Sequence, residues 1–281
     1  MNTVKAALAA AREKLPASEA RLLLGHVLDR PVAWLIAHDE EVLEEADLLR
    51  FASLVARRKG GEPVAYLVGY REFYGREFAV SPAVLIPRPE TEMLVELALA
   101  RKVGAGTTAQ CAATSPTRIL DLGTGSGCIA ITLALEITSA QVCAVDVSAA
   151  ALDVARGNAE RLGARLRLVQ SDWFEGLNGE EFDLIVGNPP YVAERDPHLA
   201  AEDLRFEPGR ALASGADGLD AIRRIIAAAP RHLRPGGRLW LEHGYDHAHA
   251  VRELLAAAGL GDIQQHHDVA GIVRVSGGRR F

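Results

Sequence analysis

The spacing of apolar and polar residues changes along this 281-residue chain, and each region predicts a different kind of structure. Over residues 1–65 apolar side chains recur at steps of three and four, separated by prolines and glycines, which predicts a small helical bundle. Residues 66–90 hold aromatic and β-branched side chains around two glycines, which predicts a hairpin linker. Residues 91–281 alternate strand-like and helical runs, which predicts an α/β domain with a mostly parallel sheet and an antiparallel hairpin over residues 263–276 at its edge. Small polar residues over 103–117 predict a flexible loop.

Polar side chains follow the ends of four predicted strands in the α/β region. Because ligands of open parallel sheets bind beyond the carboxyl ends of the strands, these side chains are expected to share one site. The strands cover residues 118–120, 141–145, 165–169 and 182–186, and the polar residues after them are Asp121, Asp146, Asp172 with Trp173, and Asn188.

The first of these strands leads into a glycine-rich turn, Gly123-Thr124-Gly125-Ser126-Gly127, with Asp121 before it. Alternate glycines let the backbone approach a ligand closely, and the helix that follows presents free N–H groups. The spacing differs from a dinucleotide fingerprint and suits a nucleoside that carries an amino acid tail. Asp146 is the candidate acceptor for ribose hydroxyls, and Asp172 and Trp173 are candidates for the rim of an adenine ring. The structural alternatives are that Asp146 only flanks a helix and that Trp173 is a core residue.

The run Asn188-Pro189-Pro190-Tyr191 follows the fourth strand. A proline lacks an amide N–H and has a fixed φ, so two prolines end the strand and hold its carbonyls in set directions. The Asn188 side chain, the Pro189 carbonyl and the Tyr191 ring could then hold a flat NH2 group. A proline turn is the alternative for a bare Pro-Pro pair, but the neighbouring glycine turn favours a planar nitrogen as the substrate.

With these motifs in place, the chain resembles a known family. The glycine turn, Asp146 and the Asn-Pro-Pro-Tyr run are similar to those of class I methyltransferases that use S-adenosylmethionine and act on a nitrogen. Two further segments narrow the resemblance to the peptide-chain release factor glutamine methyltransferases of the PrmC/HemK type. They are Ile86-Pro87-Arg88-Pro89-Glu90-Thr91-Glu92 and His267-Asp268-Val269-Ala270-Gly271. The resemblance covers nearly the whole chain.

The resemblance implies a Rossmann-like, seven-stranded methyltransferase domain over residues 91–281 and an N-terminal bundle that docks the substrate. It implies S-adenosylmethionine as the methyl donor, S-adenosylhomocysteine as the product, and no metal. The implied substrate is the glutamine of the Gly-Gly-Gln motif in class I release factors, whose methylation modulates translation termination.

The resemblance also implies roles for individual residues. Arg88 and Glu90 would close over the substrate, a surface ion pair being their alternative. The implied catalytic residues, which also bind the substrate, are Asn188, Pro189, Pro190 and Tyr191. The implied cofactor-binding residues are Asp121, Gly123, Thr124, Gly125, Ser126, Gly127, Asp146, Asp172, Trp173 and Asn188.

Other functions remain open at this stage. A related enzyme could methylate a glutamine of a ribosomal protein, or the N6 of an adenine that is flipped out of a nucleic acid. A base-flipping enzyme would need a basic cleft and a target-recognition insert, and the sequence shows neither. A cofactor-binding protein without catalysis is disfavoured because both the glycine turn and the Asn-Pro-Pro-Tyr run are intact.

Composition places further limits on location and partners. The net charge of −6 argues against stable nucleic-acid binding, which depends on clustered Lys and Arg. No apolar run approaches the length of a membrane span and no leader pattern is present, which predicts a cytoplasmic protein. The three cysteines have no metal spacing and are expected to be reduced. Four histidines near Asp246 (His243, His247, His266 and His267) lie on two separate elements, so a metal centre is not expected there.

Overall fold

The computed structural model describes residues 2–104 and 116–281. The chain divides into two compact units, Met1–Tyr70 with Ala200–Phe206, and Arg71–Leu199 with Glu207–Phe281. Most of the loop predicted over residues 103–117 lies outside the described residues, as does Cys111. The domain limits that the sequence suggests at residues 65 and 90 stay predictions.

The first unit is helical, which confirms the secondary structure predicted for the N-terminal region. Its core is built from apolar faces of successive helices, with Leu8, Leu23 and Phe51 among the buried side chains. Arg58 bonds to Glu19 at 2.7 Å and to Asp203 at 2.5 Å, which ties the fourth helix to the second and to the 200–206 segment. The helices are α1 (Val4–Arg12), α2 (Ala17–Leu28), α3 (Val32–Ala37), α4 (Glu45–Lys59) and α5 (Val64–Val68).

A β-hairpin, β1 (Tyr70–Phe73) and β2 (Arg76–Ala79), precedes the alternating strands and helices of the second unit. No helix in the described ranges is long and apolar enough to cross a membrane. The remaining elements are α6 (Glu92–Gly104), β3 (Arg118–Leu122), α7 (Cys128–Glu136), β4 (Gln141–Asp146), α8 (Ala149–Leu162), β5 (Arg167–Gln170), β6 (Phe182–Gly187), α9 (Asp220–His232), β7 (Leu233–Glu242), α10 (Ala248–Ala257), β8 (Gly261–His267) and β9 (Val273–Arg279).

The seven strands from β3 to β9 form one sheet in the order β5-β4-β3-β6-β7-β9-β8. Strands β5, β4, β3, β6 and β7 pair in parallel, and β9 pairs antiparallel with both β7 and β8. This arrangement confirms the mostly parallel, seven-stranded sheet and its antiparallel edge hairpin. Successive residues of each strand face opposite layers, so Ile119 packs in one apolar core and Leu120 in the other. Cys128 and Cys143 are free and buried in these cores.

Several strand limits differ from the sequence-based expectation, and two of the differences have a clear physical cause. Strand β5 begins at Arg167 rather than at residue 165, because Ala164 still bonds to Ala159 in the left-handed cap that ends α8. Strand β9 continues to Arg279 instead of stopping at residue 276. A Cβ on Gly277 would lie 2.2 Å from the Trp240 ring on β7, so this strand needs glycine to pass that indole.

Candidate active site

A cavity lies at the carboxyl ends of the parallel strands in the second unit. It holds about 700 Å³ of space free of protein atoms, part of it open to solvent. The sequence-predicted residues that line it are Gly123, Gly125, Asp146, Asp172, Trp173, Asn188 and Pro190, and their neighbours include Leu85, Ser148, Pro208 and Arg210.

The glycine turn after β3 is held open toward this cavity. Gly123, Gly125 and Gly127 all have positive φ, at 71°, 54° and 83°. A Cβ on Gly125 would meet no atom within 4 Å, whereas one on Gly127 would lie 2.7 Å from the Ile131 side chain. Gly125 therefore leaves room on the ligand side, and Gly127 is needed for packing of the turn on α7.

Asp146 joins the end of β4 to the glycine turn. Its Oδ2 accepts the Gly125 N–H and its Oδ1 accepts the Ser148 N–H, both at 2.9 Å. Each carboxylate oxygen keeps lone-pair capacity for another donor. The carboxylate is thus fixed in place and lines the cavity with acceptors only.

Several predicted cofactor residues are buried and do not line the cavity. Asp121 is fully buried, and its Oδ2 accepts the Thr124 hydroxyl at 2.7 Å. Its Oδ1 has no hydrogen-bond partner among the described residues, and burial raises the pKa of Asp121 to about 7. Ser126 and Gly127, which are part of the turn, are buried as well, so these residues pack the turn against the protein interior.

Trp173 and Asp172 form the wall beyond β5. Trp173 has a left-handed backbone with φ 51°, and a Cβ on Gly123 would lie 3.5 Å from its ring. A Cβ at that distance would make an ordinary contact, so it is the positive φ of Gly123, 71°, and not the indole that favours glycine at this position. Asp172 bonds to Arg224 of α9 at 2.9 Å.

The Asn-Pro-Pro-Tyr run begins directly after β6. Asn188 Nδ2 donates to the Thr91 hydroxyl at 3.1 Å, and the Tyr191 hydroxyl donates to Glu242 Oε1 at 3.3 Å. Burial raises the pKa of Tyr191 well above its usual value, and the nearby charge of Glu242 adds to the shift. Pro189 is buried and Pro190 lines the cavity, so the run leads from the buried end of β6 to the cavity wall.

Arg88 and Glu90 do not pair with each other. Arg88 pairs with Glu207, whose side chain is fully buried and also accepts the Ile86 N–H at 2.9 Å. Glu90 is exposed. Neither residue is among those that line the cavity. The contact to Glu207 shows that Arg88 fixes the proline-rich segment to the chain just before Pro208.

Sequence reasoning gave no individual role to four buried polar residues around the site, which are Asn158, Thr91, Glu207 and Glu242. Asn158 is fully buried on α8 and donates to the Ser126 carbonyl at 2.9 Å and to the Ala79 carbonyl at 3.0 Å. It thus joins the glycine turn to β2. A polar residue on the buried face of a predicted amphipathic helix is the one signal that could have drawn attention to it.

Of the four histidines near Asp246, His247 pairs with it at 3.6 Å. His243 is fully buried, with Nδ1 bonded to the Gly244 carbonyl at 2.9 Å and Nε2 to the Ser276 hydroxyl at 2.7 Å. Across residues 2–104 and 116–281, no group of three or more His, Cys, Asp or Glu side chains is placed to hold a metal ion.

Two family models match the chain. The model described as "Methyltransferase small domain" matches residues 102–258, and "PrmC N-terminal domain" matches residues 1–69. A protein of Bordetella pertussis named release factor glutamine methyltransferase is 53% identical over 94% of this chain and 95% of its own length. This chain belongs to the release factor glutamine methyltransferase family. Family membership confirms the resemblance drawn from the motifs and makes the chain an enzyme.

Other family members match over similar lengths. The release factor glutamine methyltransferase of Burkholderia pseudomallei is 51% identical and covers 99% of both chains. Among solved structures, the Thermus thermophilus 16S rRNA N2 G1207 methyltransferase, in complex with AdoMet and guanosine, has a TM-score of 0.55 at 22% identity, over 75% of this chain and 50% of its own. That structural likeness confirms the Rossmann-like methyltransferase fold of the second unit.

Proposed function

We propose that this enzyme transfers a methyl group from S-adenosylmethionine to the side-chain amide nitrogen of the glutamine in the Gly-Gly-Gln motif of class I peptide-chain release factors. The observation that carries the proposal is the near full-length match, at 53% identity, to a protein named for this activity. Methylation at that glutamine would modulate translation termination.

The residues at the cavity fit S-adenosylmethionine. Gly125 leaves open space on the ligand side of the turn, which suits the close approach of an amino acid tail. Asp146 offers carboxylate acceptors, as two ribose hydroxyls require, and Trp173 with Asp172 offers an aromatic edge and an acceptor for an adenine ring. We propose that the buried residues Asp121, Thr124, Ser126 and Gly127 stabilise the glycine turn in this conformation. When bound, the cofactor supplies an electrophilic methyl group on a sulfonium, and S-adenosylhomocysteine is the product.

On the substrate side, a carboxamide is flat and offers two N–H donors. We propose that Asn188 Oδ1 and the Pro189 carbonyl accept these two donors, while Pro190 and Tyr191 border the plane of the amide. An amide nitrogen is a poor nucleophile because its lone pair is delocalised into the carbonyl. Hydrogen bonds that hold the NH2 group in one orientation direct the lone pair, and positioning of this kind can remove about 7–11 kcal/mol from a barrier.

Recognition of the protein substrate involves parts of the chain beyond the cavity. We propose that the helical N-terminal unit docks the release factor, in line with its match to the PrmC N-terminal domain. We also propose that Arg88 and Glu90 border the substrate from the proline-rich segment. The enzyme would act in the cytoplasm, without a metal and without stable binding to membranes or nucleic acids.

A competition between substrate classes tests this function. The enzyme is incubated with methyl-labelled cofactor and, in separate reactions, a purified class I release factor, ribosomal proteins or DNA. Label in the release factor, located by tandem mass spectrometry at the Gly-Gly-Gln glutamine, is the expected result. Label in ribosomal proteins or DNA with none in the release factor would overturn the proposal.

A further inference from the structure

Asn158 is a fully buried asparagine on α8, and its side-chain amide makes four hydrogen bonds. Nδ2 donates to the Ser126 carbonyl at 2.9 Å and to the Ala79 carbonyl at 3.0 Å. Oδ1 accepts the Ala79 N–H at 2.8 Å and an Arg161 N–H at 3.1 Å. An asparagine amide has two N–H donors and two acceptor lone pairs, so every hydrogen-bonding position of this side chain is filled.

These bonds allow only one orientation of the Asn158 amide. The amide meets the Ala79 N–H with Oδ1 and the Ala79 carbonyl with Nδ2. An amide turned by 180° would place donor against donor and acceptor against acceptor at Ala79, and acceptor against acceptor at Ser126. The side chain is therefore a fixed connection between the end of β2 and the glycine turn.

The two backbone segments that Asn158 joins both lead into the wall of the cavity. Ser126 directly follows Gly125, which lines the cavity. Ala79 is the last residue of β2, and the chain beyond it reaches residues 83–85, which line the cavity as well. Asn158 itself is not among the lining residues. It can therefore act on a ligand only through the two segments that it holds.

The segment that begins at Ala79 is also anchored beyond the cavity. The Ile86 N–H donates to Glu207 Oε2 at 2.9 Å, and the Glu207 side chain is fully buried. Residues 83–85 thus lie in the chain between two anchored positions. Glu207 ties its end to the segment that leads to Pro208, whereas Asn158 ties the other end to the glycine turn.

We propose that Asn158 is a positioning residue for the cofactor, because its amide holds the glycine turn and residues 83–85 at the separation that the bound cofactor requires. The inference rests on the proposed function for the identity of that cofactor. Without Nδ2, the buried Ser126 carbonyl would lose this donor, and a buried polar group without its partner costs free energy. The turn would then shift to find another donor, and its separation from residues 83–85 would no longer be fixed.

A role limited to the packing of α8 against the hairpin makes a different prediction. Arg161, also on α8, bonds to the Glu77 carbonyl on β2 and to Asn158 Oδ1. It ties the same helix to the same strand, but neither of these bonds involves the glycine turn. If Asn158 serves only to fasten α8 to β2, loss of either side chain should have the same effect on cofactor binding.

Two variants of Asn158 and one of Arg161 separate these roles. N158L removes all four bonds and nearly keeps the volume of the side chain, and N158A removes them without adding bulk. R161M, the matched control, removes the bond to Glu77 and keeps a long unbranched side chain. Urea unfolding of each variant measures its stability, so that weaker binding can be told from a smaller fraction of folded protein.

Calorimetry with S-adenosylhomocysteine measures the effect on binding. N158L and N158A are expected to raise its Kd by about 10- to 100-fold, the range found when residues that orient the ligands of a metal are replaced. R161M should change the Kd by less than about twofold, as is usual for an exposed side chain. At saturating cofactor, kcat with the release factor should fall by less than about threefold, because the bonds of Asn158 do not involve the Asn-Pro-Pro-Tyr run. An unchanged Kd in folded N158A, or an equal loss in R161M, would overturn the proposal.

The wild-type protein allows a test that does not depend on the folding of a variant. If the Asn158 bonds strengthen cofactor binding, bound cofactor must strengthen these bonds by the same factor, because coupling free energies are reciprocal. Saturating S-adenosylhomocysteine is therefore expected to slow hydrogen exchange at the Ala79 N–H by about 10- to 100-fold. The Tyr74 N–H, which bonds to Glu92 Oε1 at 2.9 Å in the same hairpin, is the control and should keep its exchange rate. Equal exchange rates at Ala79 with and without the ligand would overturn the positioning role.

These measurements also separate the inference from the proposed substrate. Slower exchange at Ala79 and weaker binding in N158A, without any methylation of the release factor, would count against the proposed function alone. A wild-type protein that does not bind S-adenosylhomocysteine would overturn both.

Discussion

The two ends of the parallel strands, here called the cavity edge and the opposite edge, differ in the surroundings of their carboxyl groups. At the edge away from the cavity, Glu180 bonds to both Arg118 and Arg167, the latter at 2.7 Å. Asp183 accepts the Arg118 N–H at 2.7 Å and the Arg234 guanidinium at 3.1 Å. Each of these carboxylates has cationic or backbone donors.

At the cavity edge, two carboxyls are buried more deeply without an arginine bonded to them. Asp121 is fully buried and Glu242 is 1% exposed, and each has one oxygen without a hydrogen-bond partner in the described residues. Burial is the main cause that raises the pKa of each to about 7. Carboxyl groups away from the cavity are thus paired with arginines, whereas these two at the cavity are buried without one and have raised pKa values, as is common at functional sites.

Removal of the Asn188 side chain, which lies at the cavity edge, should cause the largest loss of turnover. N188A is expected to lower kcat by about 10³-fold, equal to about 4 kcal/mol, because one of two acceptors for the substrate amide is lost. The cofactor Kd should change little. Q141A, which removes a polar side chain at the opposite edge, is the control and should retain full turnover. Loss of cofactor binding as large as the loss of kcat would contradict the assigned role of Asn188.

The dependence of stability on pH should differ between the two edges. Burial raises the pKa of Glu242 to about 7, above the value of about 4.3 for an unfolded glutamate. Its contribution to stability is therefore fully present below about pH 4 and is lost as the pH rises through 7. E242Q removes this titration, so its free energy of unfolding relative to the wild type should rise by about 3 kcal/mol between pH 4 and pH 8. Urea unfolding at a series of pH values measures the difference.

The opposite edge supplies a control of opposite sign. Partial burial of Glu180 opposes ionisation, but hydrogen bonds from Arg167 and Arg118 lower the pKa of this carboxyl below its usual value. Its contribution is present above the unfolded pKa and is lost as the pH falls. E180Q should therefore lose stability relative to the wild type as the pH rises through the acid range. Parallel pH profiles for E180Q and E242Q would refute the contrast between the edges.

Replacement of Asp146 should have a smaller effect, confined to the cofactor. D146N keeps one oxygen acceptor but loses the charge and one of the two bonds to the Gly125 and Ser148 N–H groups. A hydrogen bond to a charged group is worth about 1.5–3 kcal/mol, so affinity for the cofactor should fall by about tenfold or somewhat more. Calorimetry with S-adenosylhomocysteine measures it. An unchanged Kd would remove Asp146 from the cofactor site.

The smallest effect is expected from loss of the ion pairs at the edge away from the cavity. The Glu180 side chain is 27% exposed, so solvent weakens its pairs with Arg118 and Arg167. E180Q should cost about 1 kcal/mol of unfolding free energy at neutral pH and leave kcat unchanged. A loss of turnover in folded E180Q would show that this edge also takes part in catalysis.

Local patterns in the sequence were sufficient for the parallel sheet, for the glycine turn and for the residues at the strand ends. Each depends on neighbours in the chain, such as an apolar run followed by Asp146 or by Asn188. The supports of the site depend instead on contacts between distant segments. Thr91 and Asn188 are 97 residues apart, and Tyr191 and Glu242 are 51 apart. Packing decides which buried polar residues contact each other. The periodicity of the local sequence does not predict these contacts.

Strand β9 shows the same limit in the backbone. Glycines at positions 277 and 278 suggest the end of a strand, because glycine has a low strand propensity. In the fold they allow β9 to lie against Trp240, where a Cβ at position 277 would clash. The requirement comes from a side chain on another strand and is absent from the local sequence.

The central claim is that this site grips a flat carboxamide and directs a methyl group to its nitrogen. The most direct test is tandem mass spectrometry of two matched release factors after reaction, one with Gly-Gly-Gln and one with Gly-Gly-Glu, which lacks the NH2 group. One added methyl on the glutamine side-chain nitrogen, and none on the glutamate factor, is the predicted result. A methyl at another residue, or equal methylation of both factors, would contradict the claim.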